Sequence, residues 1–208
     1  MNAFLDRIIN ALGSFFVAKK GIETCRKGNV VKTLFSLILL LFAAATLIGG
    51  IITFFRALFD GTYSFISMLR IDFGYALMQL CITCILLAAA VLMTQIFIYH
   101  ARNVTGISDT EYTASFIFSD LMRMLGEIGL VVFVAGGTAF FIASLGSGSS
   151  FLIRSSLGLP GANGLGAGIA ALLVSPLIGG LILLTFYFLA ERIIILTDIS
   201  KNTKKQDT

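Results

Sequence analysis

The stretch LFSLILLLFAAATLIGGIITFF, residues 34–55, decides the fold. It contains no charged residue, and its apolar side chains do not alternate with polar ones. A helix needs roughly 20 such residues to cross a hydrocarbon core of about 30 Å. Because backbone groups cannot stay unpaired in lipid, and because a barrel strand would alternate in polarity, this stretch is predicted to be a transmembrane helix.

Three more uncharged stretches follow along the chain. They lie between Asp72 and Arg102, between Glu127 and Arg154, and between Arg154 and Glu191. Each is long enough for a helix to cross a bilayer. The sequence therefore predicts an all-α integral membrane protein with four transmembrane helices, which span about residues 31–56, 73–100, 127–147 and 164–190.

The composition agrees with a protein that lies mostly in lipid. The chain has 208 residues, of which 57% are hydrophobic and 12% charged, and its mean hydropathy is +0.97. A soluble domain carries roughly a quarter charged residues, so a water-soluble globule, a disordered chain and a disulfide-rich secreted fold are excluded. We expect residues 1–208 to form a single polytopic domain, located in the bacterial inner (plasma) membrane, with the lipid bilayer as its first partner.

Two segments outside the spans have the pattern of amphipathic helices. In residues 1–20, apolar residues such as Phe4, Ile8 and Leu12 recur at helical spacing. Residues 109–124 show a similar face, and Ser108 with Glu111 has the spacing of a capping box at the start of this helix. Both segments are predicted to lie as helices in the membrane interface, and the first could anchor the chain or bind a partner. The apolar residues Phe65, Ile66 and Leu69 suggest a shorter surface helix, and residues 191–208 are expected to form a basic tail.

Small residues at helical spacing are the clearest packing signal. Seams of this kind allow two helix backbones to approach closely in lipid. Pro176 interrupts the fourth span and is a possible hinge, because its ring cannot continue the helical hydrogen bonds. The predicted helix-packing seam consists of Gly164, Gly168, Ala171, Ser175 and Gly179 on the fourth span and Ala135, Ala139 and Ala143 on the third.

Residues that carry chemistry are sparse, and none forms a recognised motif. His100 is the single histidine, so it lacks the partners of a metal site and is expected at the lipid headgroups. Glu127 is one of several charged residues at span ends, where they are expected to reach toward water, which argues against a proton-coupled transporter. The milder polar residues of the spans, such as Thr83 and Thr94, are expected to hydrogen-bond between helices.

These features predict a membrane subunit that is not an enzyme, needs no cofactor and acts through helix–helix contacts. It would form a homo-oligomer or join other membrane subunits. A small oligomeric channel or transporter is the first alternative. The second is a quinone-linked thiol oxidoreductase, in which Cys81 and Cys84 would exchange with a partner disulfide. The net charge of +4 is explained by basic flanks that face anionic headgroups, so no nucleic-acid partner is expected.

The distribution of basic residues predicts the topology. Of the 15 Lys and Arg residues, three (Arg56, Arg70 and Arg154) fall on one side of the predicted spans and the other twelve on the opposite side. By the positive-inside rule, both termini are cytoplasmic. Reporter fusions after Gly61 and Gly161 should therefore report the external side, and fusions after Thr110 and Thr208 the cytoplasm. A cytoplasmic signal at Gly61 would contradict this topology.

Overall fold

The described part of the chain consists of four long helices and one short one. The computed structural model describes residues 29–60, 64–107, 112–145 and 164–206. Within these ranges the chain is all-helical and has no strand, as predicted. The helices are α1 (Asn29–Phe59), α2 (Phe65–Leu69), α3 (Phe73–Gly106), α4 (Thr113–Leu145) and α5 (Leu165–Gln206).

The four long helices have the length and the apolarity to cross a membrane. Their candidate spans are Val31–Phe59, Phe73–Gly106, Thr113–Leu145 and Leu165–Thr203. This confirms the prediction of four apolar helices of spanning length and indicates a multi-pass membrane protein.

Helices α4 and α5 are longer than the predicted spans. The sequence predicts a separate helix over 109–124, but residues from Thr113 onward belong to the same helix as the third span. No proline separates the two segments, so the backbone hydrogen bonds continue through Gly126. Likewise, α5 continues into the predicted basic tail as far as Gln206. The interfacial helix predicted over 1–20 lies outside the described residues.

The helices α2 and α3 each begin at a residue whose side chain caps the helix N-terminus. The Ser64 hydroxyl accepts a hydrogen bond from the Ser67 amide at 3.4 Å, and the Asp72 carboxylate accepts one from the Tyr75 amide at 3.1 Å. Such caps satisfy amides that have no partner within the helix. The short helix α2 confirms the short helix suggested by Phe65, Ile66 and Leu69.

The long helices pack as a row in chain order and not as a closed bundle. Helix α1 packs on α3, α3 packs on α4, and α4 packs most extensively on α5. Among the described residues, no other pair of long helices is in extensive contact. Helices α1 and α5 therefore form the two ends of the row, and each has one long neighbour.

The contact between α1 and α3 depends on small residues. A Cβ atom placed on Gly50 would lie 2.6 Å from the Cβ of Ala90, which is closer than real side chains allow. Nearby, the hydroxyl of Thr94 donates to the Ala90 carbonyl of its own helix at 2.8 Å, and the Ala43 carbonyl of α1 lies at the longer distance of 3.4 Å. The hydroxyl of Thr83 likewise donates to the Gln79 carbonyl of its own helix at 2.7 Å. The prediction that these hydroxyls bond mainly between helices is therefore wrong for Thr83, and for Thr94 the interhelical contact is the longer of two.

The contact between α4 and α5 is made by glycines on both helices. A Cβ on Gly179 of α5 would lie 3.2 Å from the Cα of Leu130, and one on Gly168 would collide with Ser144. From the other side, a Cβ on Gly126 would lie 3.3 Å from the Cα of Leu183, and one on Gly137 would collide with Ser175. In lipid, association between helices depends on such close van der Waals contact, because no hydrophobic force acts between them.

Two adjacent glycines on α5 allow a matched test of this contact. Gly179 faces α4, whereas a Cβ on Gly180 would meet nothing within 4 Å. We expect Gly179→Leu to lower the stability by about 1–3 kcal/mol, the usual cost of overpacking. Gly180→Leu should change it by no more than about 0.5 kcal/mol. Unfolding of both variants in detergent micelles with increasing SDS measures the difference. Equal stability of the two variants would contradict the assigned α4–α5 contact.

Candidate functional site

A cluster of ionisable side chains lies where α3, α4 and α5 meet. At its centre is His100 of α3, which is 2% exposed. Its Nε2 atom is hydrogen-bonded to Oε2 of Glu127 at 3.1 Å. Its Nδ1 atom lies 2.9 Å from Oδ2 of Asp120, in ion-pair contact. The imidazole therefore joins two carboxylates that belong to the same neighbouring helix.

Helix α5 completes the cluster through Tyr187. The Tyr187 hydroxyl donates a hydrogen bond to Oε1 of Glu127 at 2.6 Å. The guanidinium of Arg123 lies 5.9 Å from the centre of the Tyr187 ring, within the range of a cation–π contact. One carboxylate oxygen of Glu127 thus bonds to His100 of α3 and the other to Tyr187 of α5, so Glu127 links both neighbouring helices to α4.

Helical spacing explains why α4 carries three of these residues on one face. Asp120, Arg123 and Glu127 are separated by three and four positions, which places them on successive turns of the same side. The face continues into Leu130, which lies against Gly179 of α5. The close packing of α4 on α5 therefore brings the Tyr187 hydroxyl to Glu127.

The structure corrects two expectations about these residues. His100 was expected at the headgroups without a partner, but it is buried between two carboxylates. Glu127 was expected to extend into water, but its side chain is 26% exposed and both carboxylate oxygens are hydrogen-bonded. A charged group can stay in this environment when other charged and polar groups surround it. The spacing of Asp120, Arg123 and Glu127 was the signal in the sequence that could have indicated a buried polar face.

The cluster is electrically balanced when His100 is protonated. Both ring nitrogens lie within hydrogen-bond distance of a carboxylate oxygen, and only a protonated imidazole has a donor on each nitrogen. The positive charges of His100 and Arg123 then equal the two negative charges of Asp120 and Glu127. The two carboxylates approach opposite nitrogens of the ring and do not converge on one point. Accordingly, no group of three metal-ligating side chains is placed to hold a metal ion within the four described ranges.

An open cleft of about 250 Å³ lies between α3 and α4, next to the cluster. Glu127 forms part of its wall. Most of the remaining wall is apolar. The lining residues are Leu92, Gln95, Ile96, Tyr99, Glu127 and Val131.

The α5 residues of the predicted seam that lie within the helix face α4. On α5, Gly168, Ala171 and Ser175 face α4, as does Gly179; Gly168, for example, lies against Ser144. Gly164 precedes α5 and has a positive φ of 98°, a conformation that suits glycine. Pro176 lies within the continuous helix α5, and the hinge stays a prediction.

The alanine half of the seam does not make the α4–α5 contacts described above. Those contacts from α4 come from Gly126, Gly137 and neighbouring larger residues. Ala135 and Ala139 are two positions from Gly137, about 200° around the helix at roughly 100° per residue, so they lie on the other side. They are half-buried, as is Ala143, and a packing role for these three residues with another helix stays a prediction.

The two cysteines of α3 are exposed on the helix surface. Cys81 and Cys84 are both free thiols. The sequence suggests buried thiols that fill space in the core, and this expectation is wrong because the side of α3 that bears them faces away from the neighbouring helices. Their use in thiol exchange stays a prediction.

No known protein family, curated protein or solved structure matches the chain. A function therefore has to be argued from the side chains of the site and from the surfaces that the helices leave uncovered.

The bond between Tyr187 and Glu127 can be tested with a double-mutant cycle. We expect Tyr187→Phe to destabilise the wild-type chain by about 1–2 kcal/mol, because it removes a hydrogen bond to a carboxylate. In a Glu127→Gln background the same change should cost clearly less, since the charged acceptor is already absent. SDS unfolding of the four proteins gives the coupling energy.

Thr185→Val serves as the control, because the Thr185 hydroxyl donates to the Leu181 carbonyl of its own helix. It should cost no more than about 0.5 kcal/mol and show no coupling to Glu127. A Tyr187→Phe effect of the same size in both backgrounds would contradict the contact.

Proposed function

We propose that this chain is a four-span membrane subunit without catalytic activity, which acts through lateral contacts between helices. Its partners would be copies of itself or other membrane chains. The proposal includes the orientation with both termini in the cytoplasm, since twelve of the fifteen basic residues then lie on the cytoplasmic side. It also places the protein in the bacterial inner membrane.

The open row of helices is the observation that carries this proposal. In a closed bundle each long helix would have two long neighbours, whereas among the described residues α1 and α5 each have one. Within the four described ranges, no further long helix covers the broad faces or the ends of the row. Lipid covers such surfaces without cost, but helices that expose small residues can also associate there.

Helix α4 presents small residues on the side that α5 does not occupy. A Cβ on Gly136 would meet nothing within 4 Å, whereas one on the adjacent Gly137 would collide with Ser175 of α5. Gly136, Ala139 and Ala143 follow one another at spacings of three and four, so they share this outer side. The row and this outer side together support assembly through α4.

A second candidate is a small channel or transporter, and the buried cluster favours it. Ionisable residues inside a membrane are expensive to bury and mark ion or proton paths in many membrane proteins. His100, Asp120 and Glu127 form such a group, close to an open cleft. This candidate requires a path for its substrate, which assembly of several chains would provide.

Two adjacent glycines on α4 separate assembly from folding. We expect the wild-type chain to have a native mass in mild detergent above its 22.3 kDa, either as an oligomer or with a co-purifying partner. Gly136→Leu should reduce that mass toward the monomer while the unfolding midpoint of the protomer changes little. Gly137→Leu should instead lower the unfolding midpoint, because the added side chain meets α5.

Native mass spectrometry and SDS unfolding measure the two effects. A wild-type chain that is monomeric at every detergent and protein concentration tested, with no bound partner, would overturn the proposed function.

A further inference from the structure

The row of helices consists of two closely packed pairs that meet at a looser interface. Helix α4 packs most extensively on α5, and α1 packs more extensively on α3 than α3 does on α4. Each described glycine that closely approaches another long helix does so within the α1–α3 pair or within the α4–α5 pair. The α3–α4 interface is therefore the one of the three with the least packing to hold it together.

His100 supplies close polar contacts across the α3–α4 interface. Its Nε2 atom lies 3.1 Å from Glu127 and its Nδ1 atom 2.9 Å from Oδ2 of Asp120. Both Nδ1 and this Oδ2 are buried, and neither is hydrogen-bonded to any other described group. Next to them, Ala101 and Met124 belong to one apolar core cluster. At this level the interface therefore depends on a small apolar core and on the contacts of a single imidazole.

The two carboxylates are the charged groups that decide the state of His100. None of the other charged or titratable side chains around it is hydrogen-bonded to the imidazole or in ion-pair contact with it. The helix α2, which also packs on α3, carries no charged side chain. The other groups are Arg123 of α4, Tyr187 of α5, Lys32 and Arg56 of α1, and Tyr99 and Arg102 of α3 itself.

Loss of one proton from His100 would leave one carboxylate oxygen without its donor. A neutral imidazole has a hydrogen on one nitrogen, and the other nitrogen then presents a lone pair to the carboxylate beside it. At Asp120 this would place two buried acceptors 2.9 Å apart. A buried charge or acceptor without a partner is costly. Separation of α3 from α4 would relieve this cost, because water could then reach the unpaired atoms.

We propose that His100, Asp120 and Glu127 form a proton-binding site that controls the α3–α4 interface. With the proton bound, the α1–α3 pair and the α4–α5 pair are joined at the cluster, and without it the two pairs separate there. Because the joined form binds one proton more than the separated form, raising the pH favours separation. The site belongs to one chain, so this proposal does not rest on lateral assembly.

The protonation of His100 and the separation of the helices can be measured on the same protein in lipid bilayers. His100 is the single histidine, so the ¹⁵N signals of labelled histidine distinguish imidazolium from imidazole. For distances, the three cysteines are replaced by alanine, and pairs of spin labels are placed at exposed positions. Labels at Thr105 and Leu196 join α3 to α5, whereas labels at Phe118 and Leu196 lie within the α4–α5 pair.

The two label pairs should respond differently to the pH at which the His100 signal changes. Below this pH each pair should give a single distance. Above it, the 105–196 distance should lengthen by several ångströms in most molecules, while the 118–196 distance stays the same. An unchanged 105–196 distance, or an equal lengthening of both, would overturn the proposal. So would a His100 signal that stays constant over the pH range in which the protein remains folded.

Variants separate the proton from the packing. In Asp120→Asn an amide N–H can donate to a neutral imidazole nitrogen, so the pairs should stay joined above the pH at which the wild type separates. His100→Gln has no imidazole to titrate, so its 105–196 distance should not depend on pH. Separation of either variant at the wild-type pH would overturn the proposal.

Met124→Ala is the matched control at the same interface. It removes a side chain that is 4% exposed and belongs to the apolar core beside His100, but it keeps every ionisable group. Its 105–196 distance should therefore still lengthen when the His100 signal changes. A distance that no longer follows the His100 signal in Met124→Ala would contradict control by the proton.

Discussion

Close contact between the glycine faces of α4 and α5 is the constraint on which the described site depends. Gly126, Gly137 and Gly179 allow the two backbones to approach closely. A Cβ atom added to Gly126 or Gly179 would lie 3.2–3.3 Å from a Cα atom of the other helix, and one added to Gly137 would collide with Ser175. At this distance the Tyr187 hydroxyl reaches Glu127, and Glu127 in turn holds His100 of α3. A larger residue in this contact would separate α5 from α4 and remove one of the two partners of the Glu127 carboxylate. The position of the polar cluster therefore depends on the packing between these small residues.

The helices were predictable because their signal is local. A long uncharged stretch such as residues 34–55 must be helical in lipid, whatever its neighbours do. The ends of the helices were less predictable, since charged residues end an apolar stretch but not a helix. Thus α4 begins at Thr113, well before the predicted span, and α5 runs past Glu191 to Gln206. The seam on α5 was readable from its spacing, whereas its partner surface on α4 consists of glycines and larger residues that the alanine pattern concealed.

The cluster was not predicted because it depends on contacts between residues far apart in the chain. His100 has no polar partner near it in sequence, and the residues that meet it are 20 and 27 positions away. The position of the Glu127 side chain was not predictable for the same reason, since a carboxylate at a span end can reach water or turn toward a neighbouring helix. Which of these occurs depends on how α3 and α5 pack on α4, and one sequence does not contain that information. The spacing of Asp120, Arg123 and Glu127 was the available hint in the sequence, and these residues share a face because residues 113–145 form one helix.

The central claim is that Glu127 is held between His100 and Tyr187 inside the helical row. His100 is the single histidine of the chain, so ¹⁵N-histidine labels one side chain. Solid-state NMR of the protein in lipid bilayers, with ¹³C-labelled glutamate, measures the dipolar contact between the imidazole nitrogen and a side-chain carboxyl carbon. The account predicts a strong contact that disappears in Glu127→Gln. A folded wild-type protein without this contact would contradict it.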